Sequence, residues 1–268
     1  MKSFQNTFVE DCLRIRAASP LIHNITNYVA MQFSANALLA VGASPIMSSE
    51  PREMEELVSS CNALVINIGC LEASQIEAMH IAAAKAAALG KPWVLDPAGA
   101  GASRLRTETA LALIKQYKPT VIRGNASEML ALSGAEAESR GVDATHPSSA
   151  AMEAARELAL TYSCVVSTSG ETDYITDGKS ILCINNGDPL MTRVTAMGCV
   201  ASAITAAFCA VQPDALAASA EAMALMGVAG EKAKASSNGT GSLQTAFLDI
   251  LSTAEPEALA AVIKWGEI

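Results

Sequence analysis

Two kinds of apolar pattern alternate along this chain, and that alternation most limits what it can fold into. Short unbroken apolar runs occupy 44–48, 63–67, 93–96, 120–122 and 164–167. They show little polar alternation, as strands buried on both faces do. Segments of helical character lie between them, at 29–41, 52–60, 74–89, 106–115 and 148–161. Such a strand–helix order implies a central, mainly parallel sheet with right-handed crossovers and helices on both faces. The rhythm changes after Ser169. Runs at 174–176 and 181–184 flank Asp177-Gly178, a hairpin signal. From Gly198 onward the sequence reads as nearly all helix, with breaks at 212–214, 236–241 and Glu255-Pro256. The expected class is α/β, with a β-hairpin and a helical C-terminal part. No repeat, low-complexity tract or long linker interrupts it, so 1–268 reads as a single domain. The small, polar and charged segment 134–149 reads as the most mobile loop.

Composition narrows the function. A net charge of −9 leaves no basic stripe for a nucleic acid, although a local anion site needs only backbone amides and one arginine. The seven cysteines form no CxxC pair and have no histidine close in sequence. A zinc site or disulfide framework is therefore disfavoured, and a reducing compartment is expected. The first residues, MKSFQNTFVEDCLRIR, carry acids and no apolar core, unlike a signal peptide. The longest apolar run, 199–211, is too short to span a bilayer. These features together predict a cytoplasmic protein without a membrane or nucleic-acid partner. There is no GxxxxGK[ST] loop, no GxGxxG opening a helix in the first unit and no GxSxG elbow.

In open parallel sheets ligands bind beyond the carboxyl ends of the strands, so the residues that follow each run matter most. Thr195-Ala196-Met197-Gly198-Cys199 turns directly into an apolar helix. The amides of Met197, Gly198 and Cys199 can converge on an anion there, and a thiol at a helix mouth tends to a lowered pKa. The same window also reads as a plain cap with a buried cysteine. Asp96 ends a run beside the glycine-rich loop 97–102, where it either caps the loop or holds a hydrated metal ion. Arg123 follows another run and precedes a glycine, a placement suited to bidentate phosphate contact. Glu128 lies three residues after Asn125, so it completes a capping box or reaches a metal through water. Thr168, Ser169 and Gly170 offer hydroxyls and a turn. The stretches 23–27 and 43–47, with His23, Asn27 and Met47, are candidate pocket walls. His23 and Met47 taken alone read equally as a structural histidine and core packing.

Taken in order, the stretches HNITNYVAMQFSANALLAVGASPIM, LDPAGAGA, IRGNASE, SGETDYITDG and DPLMTRVTAMGC resemble the hydroxyethylthiazole kinase family of the ribokinase-like superfamily. The resemblance implies a ribokinase-like fold and transfer of phosphate from ATP, with magnesium, to the primary alcohol of 4-methyl-5-(2-hydroxyethyl)thiazole, a salvage step toward thiamine. It places Arg123 and Ser169 at ATP-binding positions, and Met47 and Ala196 at thiazole contacts with Asn27 and Val29 nearby. Asp96 and Glu128 fall at the magnesium-coordinating acids. Cys199 lies near the reacting alcohol, with Met197 and Gly198 beside it. The family pattern also implies a homotrimer with sites at subunit interfaces. The chain departs from the pattern in two places: alanine stands at 196 where glycine is expected, and serine at 169 where threonine is frequent. If the backbone at 196 needs a positive φ, alanine adds strain. A kinase for another small alcohol, such as a pyrimidine, and a non-catalytic sensor of the same ligands remain rival readings. A redox role for Cys199 is disfavoured, because no resolving cysteine lies close in sequence.

Overall fold

The structure is a computed structural model, and it describes residues 3–134 and 147–268. Most of the segment 134–149 therefore lies outside the described residues. In chain order the first half contains α1 (Phe4–Ala18), β1 (Leu21–Ile25), α2 (Met31–Val41), β2 (Ser44–Met47), α3 (Met54–Ser60), β3 (Ala63–Asn67), α4 (Ala73–Leu89), β4 (Trp93–Asp96) and α5 (Arg104–Tyr117). Then come β5 (Val121–Asn125), α6 (Ala126–Ser133), α7 (Pro147–Tyr162), β6 (Val165–Ser169) and the hairpin β7 (Asp173–Thr176) and β8 (Ile181–Ile184). The chain closes with α8 (Met197–Cys209), α9 (Ala215–Ala235), α10 (Thr240–Thr253), α11 (Pro256–Ala260) and β9 (Trp265–Glu267). Among the described residues, no helix is long and apolar enough to cross a membrane.

Among the described residues nine strands form one sheet, in the order β2-β1-β3-β4-β5-β6-β7-β8-β9. Pairing is parallel from β2 through β6 and antiparallel from β6 through β9. The α/β class, the parallel core and the Asp177-Gly178 hairpin agree with the sequence reading. Two strands do not. β1 was expected only as a pocket wall, yet His23 and Asn24 are buried within it between β2 and β3. The His23 ring nitrogen Nε2 lies 3.2 Å from the Ser48 carbonyl, so His23 ties β1 to the end of β2. β9 interrupts the expected all-helical end, where its three residues add an antiparallel edge to β8. Two further strands run longer than expected, so Arg123 and Ser169 lie within β5 and β6 rather than after them. Helix α2 starts at Met31, because the Asn27 side chain accepts the Ala30 N–H and holds a turn ahead of it, leaving Val29 in that turn.

Side chains alternate along each strand, and the two faces bury two separate cores. Val65, Val94, Val121 and Val165 pack with α1, α2, α8, α9 and α10. Leu64, Leu95, Ile122 and Val166 pack on the other face with α3 to α7. Counting on by twos from the first set reaches Asn67, Asp96, Arg123, Ser167 and Ser169. The parity that fills the α8-side core therefore also carries these five polar residues toward the carboxyl ends of the strands on that same face.

Candidate active site

Helix α8 begins abruptly. Ala196 sits in the left-handed region, with φ 67° and ψ 4°. For a residue with a Cβ this costs about 1–2 kcal/mol, so alanine does carry strain where the family pattern has glycine. The first intrahelical bond runs from the Val200 N–H to the Ala196 carbonyl, at 2.9 Å. The N–H groups of Met197, Gly198 and Cys199 precede it and have no partner within the helix. They carry the positive end of the helix dipole at the strand ends.

Arg123 reaches this helix from β5, where its Nη1 donates to the Gly198 carbonyl at 3.0 Å. The guanidinium is only 7% exposed and its Nε has no protein partner. A Cβ on Gly198 would stand 2.8 Å from Nη1, so glycine is what lets the guanidinium come under the helix. Asp96 ends β4 alongside and is 3% exposed. Its Oδ2 accepts from the Ser202 hydroxyl of α8 at 2.8 Å. Burial pushes the Asp96 carboxyl up to about 6; the charge of Glu128 adds to this, while Arg123, Ser202 and Asn67 oppose it.

Glu128 completes the capping box that its sequence position suggested. Its Oε2 accepts the Asn125 N–H at 2.8 Å, and its own N–H donates to Asn125 Oδ1 at 3.0 Å, completing the capping box. Its Oε1 reaches across to the glycine-rich loop and accepts the Gly99 N–H at 2.9 Å. The cap thus holds this carboxylate close to Asp96. Ser169 Oγ donates to the Gly124 carbonyl at 3.3 Å, beside Arg123. The next turn is tied by Asp173, which accepts the Gly170 N–H at 3.0 Å. Asp173 is itself pushed up to about 6, mainly by burial.

Cys199 departs from expectation. Its sulfur accepts from Asn27 Nδ2 at 3.3 Å and from Asn67 Nδ2 at 3.2 Å. The helix end does not lower its pKa. Burial, and then the charge of Asp96, push the thiol up to about 11, against the two amides and Arg123. Desolvation outweighs the helix end here.

The structure therefore brings Asn27, Asp96, Arg123, Glu128, Ser169, Met197, Gly198 and Cys199 to one end of the sheet. Two further expected residues lie nearer the surface. Met47 lines a depression of about 360 Å³ with Met31, Ser48, Glu50 and Ser74. Val29 is 66% exposed on the turn before α2. Sequence reasoning missed Asn67, Ser202, Asp173 and Arg106. From α5, Arg106 donates to the carbonyls of Ile68 (2.9 Å), Gly69 (2.9 Å) and Ala98 (2.8 Å), so one guanidinium fastens the loops that follow β3 and β4.

A ribokinase-like superfamily protein from Enterococcus faecalis superposes on this chain with a TM-score of 0.64, at 16% identity, over 95% of this chain and 89% of that one. The fold is thus of the ribokinase-like class. A hydroxyethylthiazole kinase protein from Pyrococcus horikoshii matches with a TM-score of 0.91, at 36% identity, over 98% of this chain and 99% of the other. A hydroxyethylthiazole kinase from Syntrophus aciditrophicus is 54% identical over 247 residues, 92% of each chain. Residues 13–257 fit the pattern of the hydroxyethylthiazole kinase family. The chain belongs to that family and is an enzyme of the kinase class.

Proposed function

We propose that this chain transfers the γ-phosphoryl group of ATP to the primary hydroxyl of 4-methyl-5-(2-hydroxyethyl)thiazole, a salvage step toward thiamine. One observation carries the reading: the acid ending β4 and the amides opening α8 share one end of the sheet, bridged by Ser202 and Arg123. Phosphoryl transfer is mostly positioning and charge stabilisation, and this end of the molecule offers both. Arg123, held under α8 by the Gly198 carbonyl, and Ser169 take the nucleotide phosphates. The first amides of α8 meet the charge on the group in flight. Asn27, Met47, Val29 and Ala196 bound the thiazole.

Asp96 and Glu128 would hold magnesium. Their chemistry fits, because two hard carboxylate oxygens with waters and phosphate oxygens make the usual magnesium shell. Glu128 already accepts two backbone N–H groups, which suits contact through water. Asp96 is desolvated beside a second acid, a strain that a cation relieves. When bound, magnesium neutralises charge spread over the phosphates. In the transfer itself the alcohol oxygen bonds to phosphorus as the bond to the departing ADP oxygen breaks. The hydroxyl proton leaves late and passes to a phosphate oxygen of the transferred group, so the neutral thiol at 199 need not accept it.

We further propose that 1–268 acts as one domain in the cytoplasm and assembles as a homotrimer. Free cysteines support the compartment. Exposed Tyr28 and Val29, on the turn that leads into Met31, which shares a depression with Met47, support a subunit contact that completes the thiazole wall.

The test is to incubate the purified protein with the thiazole alcohol, ATP and magnesium and to identify products by mass. The expected products are the thiazole monophosphate and ADP in equal amounts. ADP formed only with another alcohol would favour the rival substrate, and ligand binding without product would favour a sensor.

A further inference from the structure

The side chains around Cys199 are arranged so that their hydrogen-bonding sense is not a free choice. An asparagine amide can present either its oxygen or its nitrogen to a neighbour. Asn67 has its Oδ1 taken twice, by the Gly69 N–H at 2.9 Å and by Asn27 Nδ2 at 2.9 Å. Asn27 has its Oδ1 taken by the Ala30 N–H at 2.9 Å. Both oxygens are occupied by backbone donors that cannot reverse. Both NH2 groups are therefore obliged to face acceptors: each donates to the sulfur of Cys199, at 3.2 and 3.3 Å, and that of Asn67 also serves the Asp96 carboxylate. Asn67 is 1% exposed and Asn27 is 8% exposed, so water offers little alternative.

The loop behind them is built for this. A Cβ on Gly69 would lie 2.7 Å from Asn27 Nδ2 and 2.8 Å from Asn67 Oδ1, so only glycine lets its N–H come so close to both amides. On the other side of the same loop, Arg106 grips the carbonyls of Ile68 and Gly69. The peptide is pinned from both sides, and its N–H is aimed at Asn67.

We infer that Asn67 is a positioning residue for phosphoryl transfer: with Asn27 it forms an obligate two-donor cradle that holds the group at position 199 as a hydrogen-bond acceptor beside the reacting hydroxyl. The cradle accepts any group that offers lone pairs, a thiol sulfur or a carboxylate, and rejects an alkyl group. It fixes where the sulfur sits and turns the S–H away from the two amides. The inference rests on the kinase reading above.

Two substitutions test it. Asn67→Leu removes the donor at similar volume. Asn67→Asp keeps an oxygen for the Gly69 N–H but turns an acceptor toward the sulfur. Each is made in the wild-type and the Cys199→Ala backgrounds and assayed with thiazole alcohol and magnesium ATP. The S–H stretching band of Cys199 is read in parallel by infrared difference against Cys199→Ala. Both changes are expected to lower kcat by roughly 10- to 100-fold with KM for ATP within about twofold. In the Cys199→Ala background the same changes should cost several-fold less, what remains being the loss of the Asn67 bond to Asp96. The Cys199 S–H band should shift. Equal losses in both backgrounds with an unmoved band would make Asn67 merely structural, and an unchanged kcat would remove its role in the reaction. Where Cys199→Ala leaves no measurable turnover, the band decides. Failure of the kinase reading itself looks different: wild-type protein forms no thiazole phosphate, whereas the band still shifts.

Discussion

Asp96 and Glu221 are buried to nearly the same depth, at 3% and 0% exposure, and they could hardly be more differently served. Asp96 closes a strand beside Ser202, Asn67 and the Arg123 guanidinium, which hold its carboxyl near 6 against the pull of burial. Glu221 sits inside α9, where the adjacent acid, Asp11 of α1, works with burial rather than against it. Its carboxyl is pushed up to about 9. Asp11 has its own partners in Arg14 at 2.8 Å and Gln212 at 2.6 Å, and burial leaves Glu221 protonated at neutral pH. Burial alone thus does not mark a working acid. Donors and a cation of the right sense do, because they let a desolvated carboxylate hold its charge at neutral pH.

The contrast breaks first at Asp96. Asp96→Asn keeps the shape and the Ser202 contact but removes the charge. Its kcat is expected to fall by about 10²–10³-fold, while the thermal midpoint holds or rises, since a costly buried charge is gone. Steady-state kinetics with thermal unfolding check both halves. Unchanged turnover would put Asp96 in the same class as Glu221.

Glu221 is expected to respond the other way. Its folded pKa lies above its ordinary value of 4.5, so the folded protein keeps a proton that the unfolded chain releases. Stability is then greatest at the acid end of this window and is lost as pH rises from about 4.5 toward 9. Glu221→Gln removes that slope. Denaturant melts across the window should show the variant gaining on the wild type with pH, by on the order of a few kcal/mol near the alkaline end, with kcat unchanged. Parallel pH profiles for the two proteins would contradict a buried proton at 221.

Much of this architecture was legible from pattern alone. The parallel strands β2 to β6 announce themselves as apolar runs, and Asp177-Gly178 marks the hairpin. β1 did not, because its central His23 and Asn24 are polar in sequence although the sheet buries them. β9 has three residues, two of them exposed, too few to show a period. In the site, Asp96, Arg123 and Glu128 stood out as charges at run ends. Asn67 did not, since an asparagine closing an apolar run also reads as an ordinary turn residue. Counting by twos from Val65 would have placed it on the α8 face. Ser202 was hidden inside an apolar helix. The pKa of Cys199 was misjudged because sequence shows a helix start but not the desolvation around it.

Kinetics of Arg123→Ala, with ATP and the thiazole alcohol varied in turn, probe most directly whether phosphate binds where β5 meets α8. The expected result is a rise of about tenfold or more in KM for ATP, with KM for the alcohol within about twofold. Equal rises for both substrates would contradict it.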